Sequence, residues 1–205
     1  VGRGKHGNGW MVEKIAMGCD GRTMATLEKR ASSEMMKFSK NGQRWALKFW
    51  RWSDTKNQFV NETIAYSVHT NTVTSLVAHP DQPDTFFTSS DDATFKRWTG
   101  RGAHGIHAGE PDAVPDQEDQ ADTNDTGKKP SDVNNAAGWK CTAVGSWREQ
   151  RCYTVAAFDD LVAVAHQGCV SVWRVGDEDE APEELAVVRM QEGHIIGLSF
   201  AVVGD

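Results

Sequence analysis

The sequence predicts an all-β fold made of repeated four-stranded units, and three observations carry that reading. Apolar residues alternate or run for five to eight positions and then meet turn residues, repeatedly, with no sustained helical period. The runs fall into groups of four, and a tryptophan (Trp50, Trp98 or Trp173) stands near the end of the third run in each complete group. Trp98 and Trp173 lie 75 residues apart; without the 37-residue polar stretch at 101–137 the spacing is 38, close to a four-stranded repeat of about 40–45 residues.

The first group, over 10–66, reads as WMVEKIAM (10–17), the turn CDGR, TMATLEKR (23–30), ALKFWRW (46–52) and FVNETIAY (59–66), with 31–45 an inserted loop between its second and third strands. The second, over 72–147, holds TVTSLVAH (72–79), TFFTSS (85–90), TFKRWT (94–99) and, after 101–137, WKCTAVGSW (139–147). The third, over 152–190, holds CYTVAAF (152–158), LVAVAH (161–166), CVSVWRV (169–175) and ELAVVRM (184–190), with an acidic loop at 177–184. HIIGLSFAVV (194–203) is expected to open a fourth unit within 194–205. Residues 1–205 thus read as part of one ring, about three units and the first strand of the next. A closed ring takes about 4 to 8 such units, so a fragment, or a chain whose ring is finished by partners, is expected.

Charge is unevenly spread along the chain. The stretch 101–137 has 8 acidic and 3 basic residues, four Gly and three Pro, and almost nothing to bury. It cannot offset its own ordering entropy and is expected as an acidic disordered insertion. Setting it and the run DEDEAPEE aside turns a net charge of -7 into a mildly basic remainder with 19 basic and 15 acidic residues. Such a surface permits an RNA or phosphoprotein neighbour without demanding one.

The stretch FFTSSDDATFKRW (86–98) sets a hydroxyl, a carboxylate and an indole downstream of His69. Thr, His and Asp are the residue types of a nucleophile, its base and its orienter. The surrounding frame, however, resembles a WD repeat of a β-propeller blade, in which an upstream His, a second-strand hydroxyl, a turn Asp and a third-strand Trp tie the strands together. His69, Thr88, Asp92 and Trp98 match those places one by one, although Val68 stands where a Gly is expected and Thr99 where an Asp is expected. The resemblance implies a structural network ending on the Trp98 indole, not a catalytic triad. Around Trp173 the pattern departs further: Gln167 replaces the turn Asp and Ala163 the hydroxyl, so that blade is expected to rely on its Val and Ala packing.

Over most of residues 10–203 the order of phrases is similar to the WD repeat-containing protein 75 family; the most specific are the Trp50 and Trp52 doublet, FVNETI and the Trp139 to Trp147 strand. That resemblance implies a non-catalytic scaffold of the early small-subunit processome, in the nucleus and nucleolus. Its implied role is to bind nascent pre-ribosomal RNA and support pre-18S processing and polymerase I transcription. The implied partners are other WD-repeat processome subunits, pre-ribosomal RNA and the U-three snoRNA within the complex. No catalytic residue, cofactor, metal or small-molecule substrate follows from it. A generic WD-repeat adaptor, such as a substrate receptor of a ubiquitin ligase, is the alternative.

Lys48, Arg51, Lys96 and Arg97 flank the third strands and are the candidate contacts to RNA or a partner, with solvated strand faces as the plain reading. Cys19, Cys141, Cys152 and Cys169 show no metal-ligand spacing, and three of them lie in apolar strand-like runs, where buried free thiols are expected. His104 and His107 in the Gly-rich acidic stretch are expected to be solvated, not metal-bound, and Thr123, Thr126 and Ser131 beside its Asp residues are candidates for acidic-directed phosphorylation. Gly2, Gly4 and Gly7 form a literal G-x-G-x-x-G, but with no strand before it the spacing does not make a nucleotide loop. No apolar run approaches the length of a membrane span.

Overall fold

Where β-branched and aromatic residues alternate with polar ones between Gly, Asn and Asp turns, a pleated ladder satisfies the backbone and buries one or both faces. The computed structural model describes residues 10–30, 45–66, 68–100, 138–176, 180–190 and 195–201, and its described elements are all strands. The first sheet holds β1 (Trp10–Met17), β2 (Thr23–Arg30), β3 (Trp45–Ser53) and β4 (Gln58–Tyr66). The second holds β5 (Val73–Ala78), β6 (Thr85–Ser90), β7 (Thr94–Gly100) and β8 (Trp139–Ser146). The third holds β9 (Thr154–Phe158), β10 (Leu161–His166), β11 (Cys169–Arg174) and β12 (Glu183–Arg189). Each sheet is an antiparallel meander in chain order. Trp45 pairs with Lys29 inside β3, so the expected 31–45 loop is shorter at its end than the sequence suggested: the indole is buried and continues the apolar run. Residues 31–44, 101–137 and 177–179 lie outside the described residues.

The repeat is visible in the ladders themselves. Between the third and fourth strands of every sheet the register shifts immediately before the tryptophan, at Phe49/Trp50, Arg97/Trp98 and Val172/Trp173. An irregularity of this kind bends the strand and re-aims the next side chain. The three indoles therefore occupy equivalent positions in three blades of a partial propeller.

The blades stack with their first strands neighbouring, β1 beside β5 and β5 beside β9. Two apolar layers result. Leu27, Leu47 and Phe49 meet Leu76, Phe86, Trp98 and Trp139 in one; Phe87, Phe95 and Trp147 meet Val155, Val162, Val164 and Trp173 in the other. Covered on both faces, β6 is buried along its whole length, with Phe86 in the first layer and Phe87 in the second. Burying each phenylalanine contributes about 1.5–3 kcal/mol. Trp139 stacks on Phe49 with centroids 4.4 Å apart and planes within 3°.

Polar groups latch the layers. The Thr23 hydroxyl donates to the Pro83 carbonyl at 2.5 Å, and the Trp139 indole donates to Glu62 at 2.8 Å. His79 Nε2 donates to the Asp159 carbonyl at 2.7 Å while its Nδ1 accepts the Asp81 and Gln82 amides, so both ring nitrogens are satisfied.

Residues 195–201, expected as the first strand of a fourth blade, carry no strand pairing, and Ile196 is 97% exposed. A strand exists only against a neighbour that accepts its hydrogen bonds, and no described residue supplies one there.

Candidate functional site

The turn between β6 and β7, Asp91 to Ala93, directs the Asp92 carboxylate towards the segment before β5, where His69 sits. The Trp98 indole N–H donates to Thr88 Oγ1 at 3.0 Å. Thr88 Oγ1 lies 2.8 Å from His69 Nε2, and His69 Nδ1 lies 3.0 Å from Asp92 Oδ2. Because the carboxylate only accepts, Nδ1 carries the proton, Nε2 accepts from Thr88, and the chain of donors runs from indole to hydroxyl to imidazole. Asp92 also accepts the Thr94 hydroxyl at 2.7 Å and the Thr70 and Thr94 amides.

Electrostatics agree with that ordering. Burial lowers the His69 pKa from 6.5 to about 4, opposed by the Asp92 charge and helped by Lys96. Burial pushes Asp92 up, but the Thr94 hydroxyl, the His69 charge and the backbone donors prevail and hold it below the usual carboxylate range. Thr88 is fully buried, so no substrate reaches its oxygen, and that oxygen is engaged by both the indole and the imidazole. The arrangement does the work of a bolt between strands.

In the third blade the structure corrects the expectation of packing alone. The Trp173 indole donates to Ser171 Oγ at 2.7 Å, and Ser171 Oγ lies 2.8 Å from His166 Nε2. His166 Nδ1 donates to the Arg151 carbonyl at 3.1 Å, so the same donor order is built from different parts. Register explains why the pattern missed it. Thr88 faces Lys96, two residues before Trp98, whereas Ser171, two residues before Trp173, faces Val164. The position of Thr88 is thus filled by Val164, not Ala163, and the hydroxyl has moved to the opposite strand. In the first blade Trp50 donates to Thr26 at 3.0 Å, and Thr26 faces Lys48 in the matching register.

All four candidate cations have acceptors or ring partners inside the chain. Lys48 pairs with Glu28 at 2.6 Å and lies over the Trp50 ring. Arg51 bridges Glu62 and Asp84, each at 2.8 Å, and Lys96 donates to the Val68 carbonyl at 2.7 Å. Arg97, only 8% exposed, donates to Thr142, to the Val175 carbonyl and, at 2.5 Å, to the Gly176 carbonyl, joining the second blade to the third.

Cys152 and Cys169 are buried, and burial pushes the Cys152 thiol up to about 12. Cys141, expected to be buried, is exposed: β8 is the outermost strand of its sheet and one of its sides faces out. Among the described residues no cluster of His, Cys, Asp and Glu suits a metal ion, and no helix is long and apolar enough to cross a membrane.

Residues 7–110, about half of the chain, match the family described as WD repeat-containing protein 75 second beta-propeller. The chain belongs to the WD repeat-containing protein 75 family. Human WD repeat-containing protein 75 is 26% identical over 167 residues, which is 79% of this chain and 16% of the human protein. Solved structures outside the WD repeat-containing protein 75 family share the fold. Sqt1 from Chaetomium thermophilum superposes with a TM-score of 0.55 at 12% identity, covering 92% of this chain and 38% of that one. Kluyveromyces lactis Hsv2 gives 0.50 at 11%, covering 90% and 48%.

Proposed function

We propose that the protein carrying this chain is a non-catalytic scaffold of ribosome biogenesis. It works in the nucleolus, in an early small-subunit assembly that holds nascent pre-ribosomal RNA and supports pre-18S processing and polymerase I transcription. The match of residues 7–110 to the WD repeat-containing protein 75 second propeller carries the reading. The geometry supports it, because the residues most suggestive of chemistry, His69, Thr88 and Asp92, are consumed in holding Trp98. Propeller edges and loops are then left to meet sister WD-repeat subunits, pre-ribosomal RNA and the U-three snoRNA.

Affinity purification of the full-length protein from nuclear extract, with mass spectrometry and RNA sequencing of the eluate, tests this. Early small-subunit assembly factors recovered with the 5′ end of the ribosomal precursor are the expected result. Cullin adaptors without precursor RNA would replace the scaffold reading with that of a general WD-repeat adaptor.

A further inference from the structure

The chain leaves β8 through Trp147 and Arg148, close to the tight turn of Gln167 and Gly168 that joins β10 to β11. Between them lies an open pocket of about 310 Å³, and a second of about 260 Å³ adjoins it, the two sharing Gln167 and Gly168. The compartments differ in chemistry. Arg148, Arg189 and the amides of Gln150 and Gln167 line the first, whereas Tyr153, Ile195 and His166 line the second. Among the described residues no carboxylate lines either.

Two separate elements bring the guanidinium groups to the first compartment. Arg189 stands opposite Cys169 in the β11–β12 ladder, and the next amide, Met190, donates to the Gly168 carbonyl at 2.9 Å. Arg148 lies over the Trp147 ring at 5.1 Å. Arg148 and Glu149 hold left-handed backbone, with φ of 46° and 55°, a conformation that non-glycine residues adopt at a cost and that recurs at ligand clamps. Both charges reach Cys169: burial raises its thiol pKa, and the fields of Arg189 and Arg148 oppose that rise. Neither arginine has an ion pair among the described residues, whereas Arg22, Arg51 and Arg174 each pair with a carboxylate. Two like charges gathered without a counter-charge repel each other, and an anion between them removes that cost while it accepts from both donor forks. Arg148, Arg189, Gln150 and Gln167 are all exposed, so a partner reaches them without opening the fold.

The second compartment decides what kind of anion fits. Tyr153 is 37% exposed and Ile195 is half-buried, and both ring nitrogens of His166 are already engaged, so this compartment offers apolar surface and no cation. A nucleic acid strand carries a phosphate at every nucleotide and needs cations along its whole path. In an extended peptide, side chains two positions apart leave on the same side about 6–7 Å from each other, so an acidic one can enter the first compartment while an apolar one enters the second.

We propose that these compartments are a docking site for an extended acidic peptide of a partner protein, its carboxylate held between Arg148 and Arg189 and an apolar side chain two positions along resting on Tyr153 and Ile195. Capture of acidic motifs by clustered arginines is a recurring mode of peptide recognition. Exposed ion pairs each contribute little, so the site is weak and salt-sensitive, with a Kd on the order of 100 micromolar.

Fluorescence anisotropy with a labelled peptide of three Glu-Gly-Leu repeats and the full chain tests the site. Arg148→Asn combined with Arg189→Gln, the Asn chosen because it tolerates left-handed backbone, should weaken binding about tenfold or more. Because both side chains are exposed, that variant should keep the unfolding midpoint of the unmodified chain. Changes to the peptide read the same contacts without touching the fold: Gln for every Glu should cost about tenfold or more and remove the salt dependence, and Ser for every Leu should cost about fivefold. A control pair, Lys14→Gln with Lys56→Gln, should leave affinity within about twofold, since scattered charges add only diffuse attraction. Binding too weak to detect in the unmodified chain, equal losses in the control and site variants, or a Gln peptide that binds as well as the Glu peptide would each overturn the proposal. So would labelled oligouridine whose binding the double variant abolishes while peptide binding survives, an outcome that would assign the two arginines to nucleic acid.

Discussion

The second and third blades solve one problem with different parts. Both bury an indole N–H, end its hydrogen bond on a hydroxyl and pass the donor chain to a neutral histidine. In the second blade the hydroxyl is on β6 and the histidine precedes β5, anchored by Asp92. In the third the hydroxyl is on β11 and the histidine closes β10, anchored by the Arg151 carbonyl. The fold therefore demands a satisfied indole behind the bulge and is indifferent to which strand supplies the partner. A motif records one solution to that demand, and hydrogen-bond geometry records the demand itself.

The largest expected effect breaks either bolt at its end. Trp98→Ala and Trp173→Ala should each destabilise the full chain by about 3–5 kcal/mol in urea unfolding, since each removes a buried aromatic and leaves a hydroxyl without its donor. A cost below about 1 kcal/mol for Trp173→Ala alone would end the equivalence of the two blades.

Acid comes next. His69 is held neutral in the folded chain, so its contribution is complete above pH 6.5 and is lost as pH falls towards about 4. Over that window the unfolded chain binds the extra proton, and the loss amounts to roughly 3 kcal/mol. Burial lowers the pKa of His166 as well, which adds loss of the same sign below 6.5. His69→Asn should flatten the fall measured by urea midpoints across that range, and an unchanged pH profile would mean that His69 is not held neutral.

Removing only the hydroxyls sharpens the comparison. Thr88→Val and Ser171→Ala should each cost about 1–3 kcal/mol, because each leaves the indole donor and the imidazole acceptor buried without a partner. The smallest effect belongs to Arg174, whose pairs with Asp160 and Glu183 are exposed: Arg174→Ala should change stability by less than about 0.5 kcal/mol.

Much of the fold was legible because its signals are local. Alternation in TVTSLVAH and LVAVAH, and the recurrence of Trp50, Trp98 and Trp173, depend on neighbours a few positions away. The residue types at His69, Thr88, Asp92 and Trp98 could be aligned to a repeat for the same reason. What stayed hidden depends on cross-strand register and on the far side of a sheet. Ser171 looked like an ordinary strand residue until its position opposite Val164 was known. Arg97 looked like a surface cation, yet its guanidinium is spent on carbonyls nearly eighty positions away in the next blade. Trp147 could be counted as core, but nothing local signals that its N–H lacks a partner among the described residues.

Histidine ring nitrogen shifts in the ¹⁵N-labelled full chain, followed from pH 7 to pH 4.5, test the central claim most directly. The account predicts that His69 and His166 share one state, neutral with the proton on Nδ1, and that each takes up its second proton below the ordinary histidine value, His69 at about 4. A His166 with its proton on Nε2, or one that titrates at the ordinary histidine value while His69 does not, would show that the two blades are not closed by the same device.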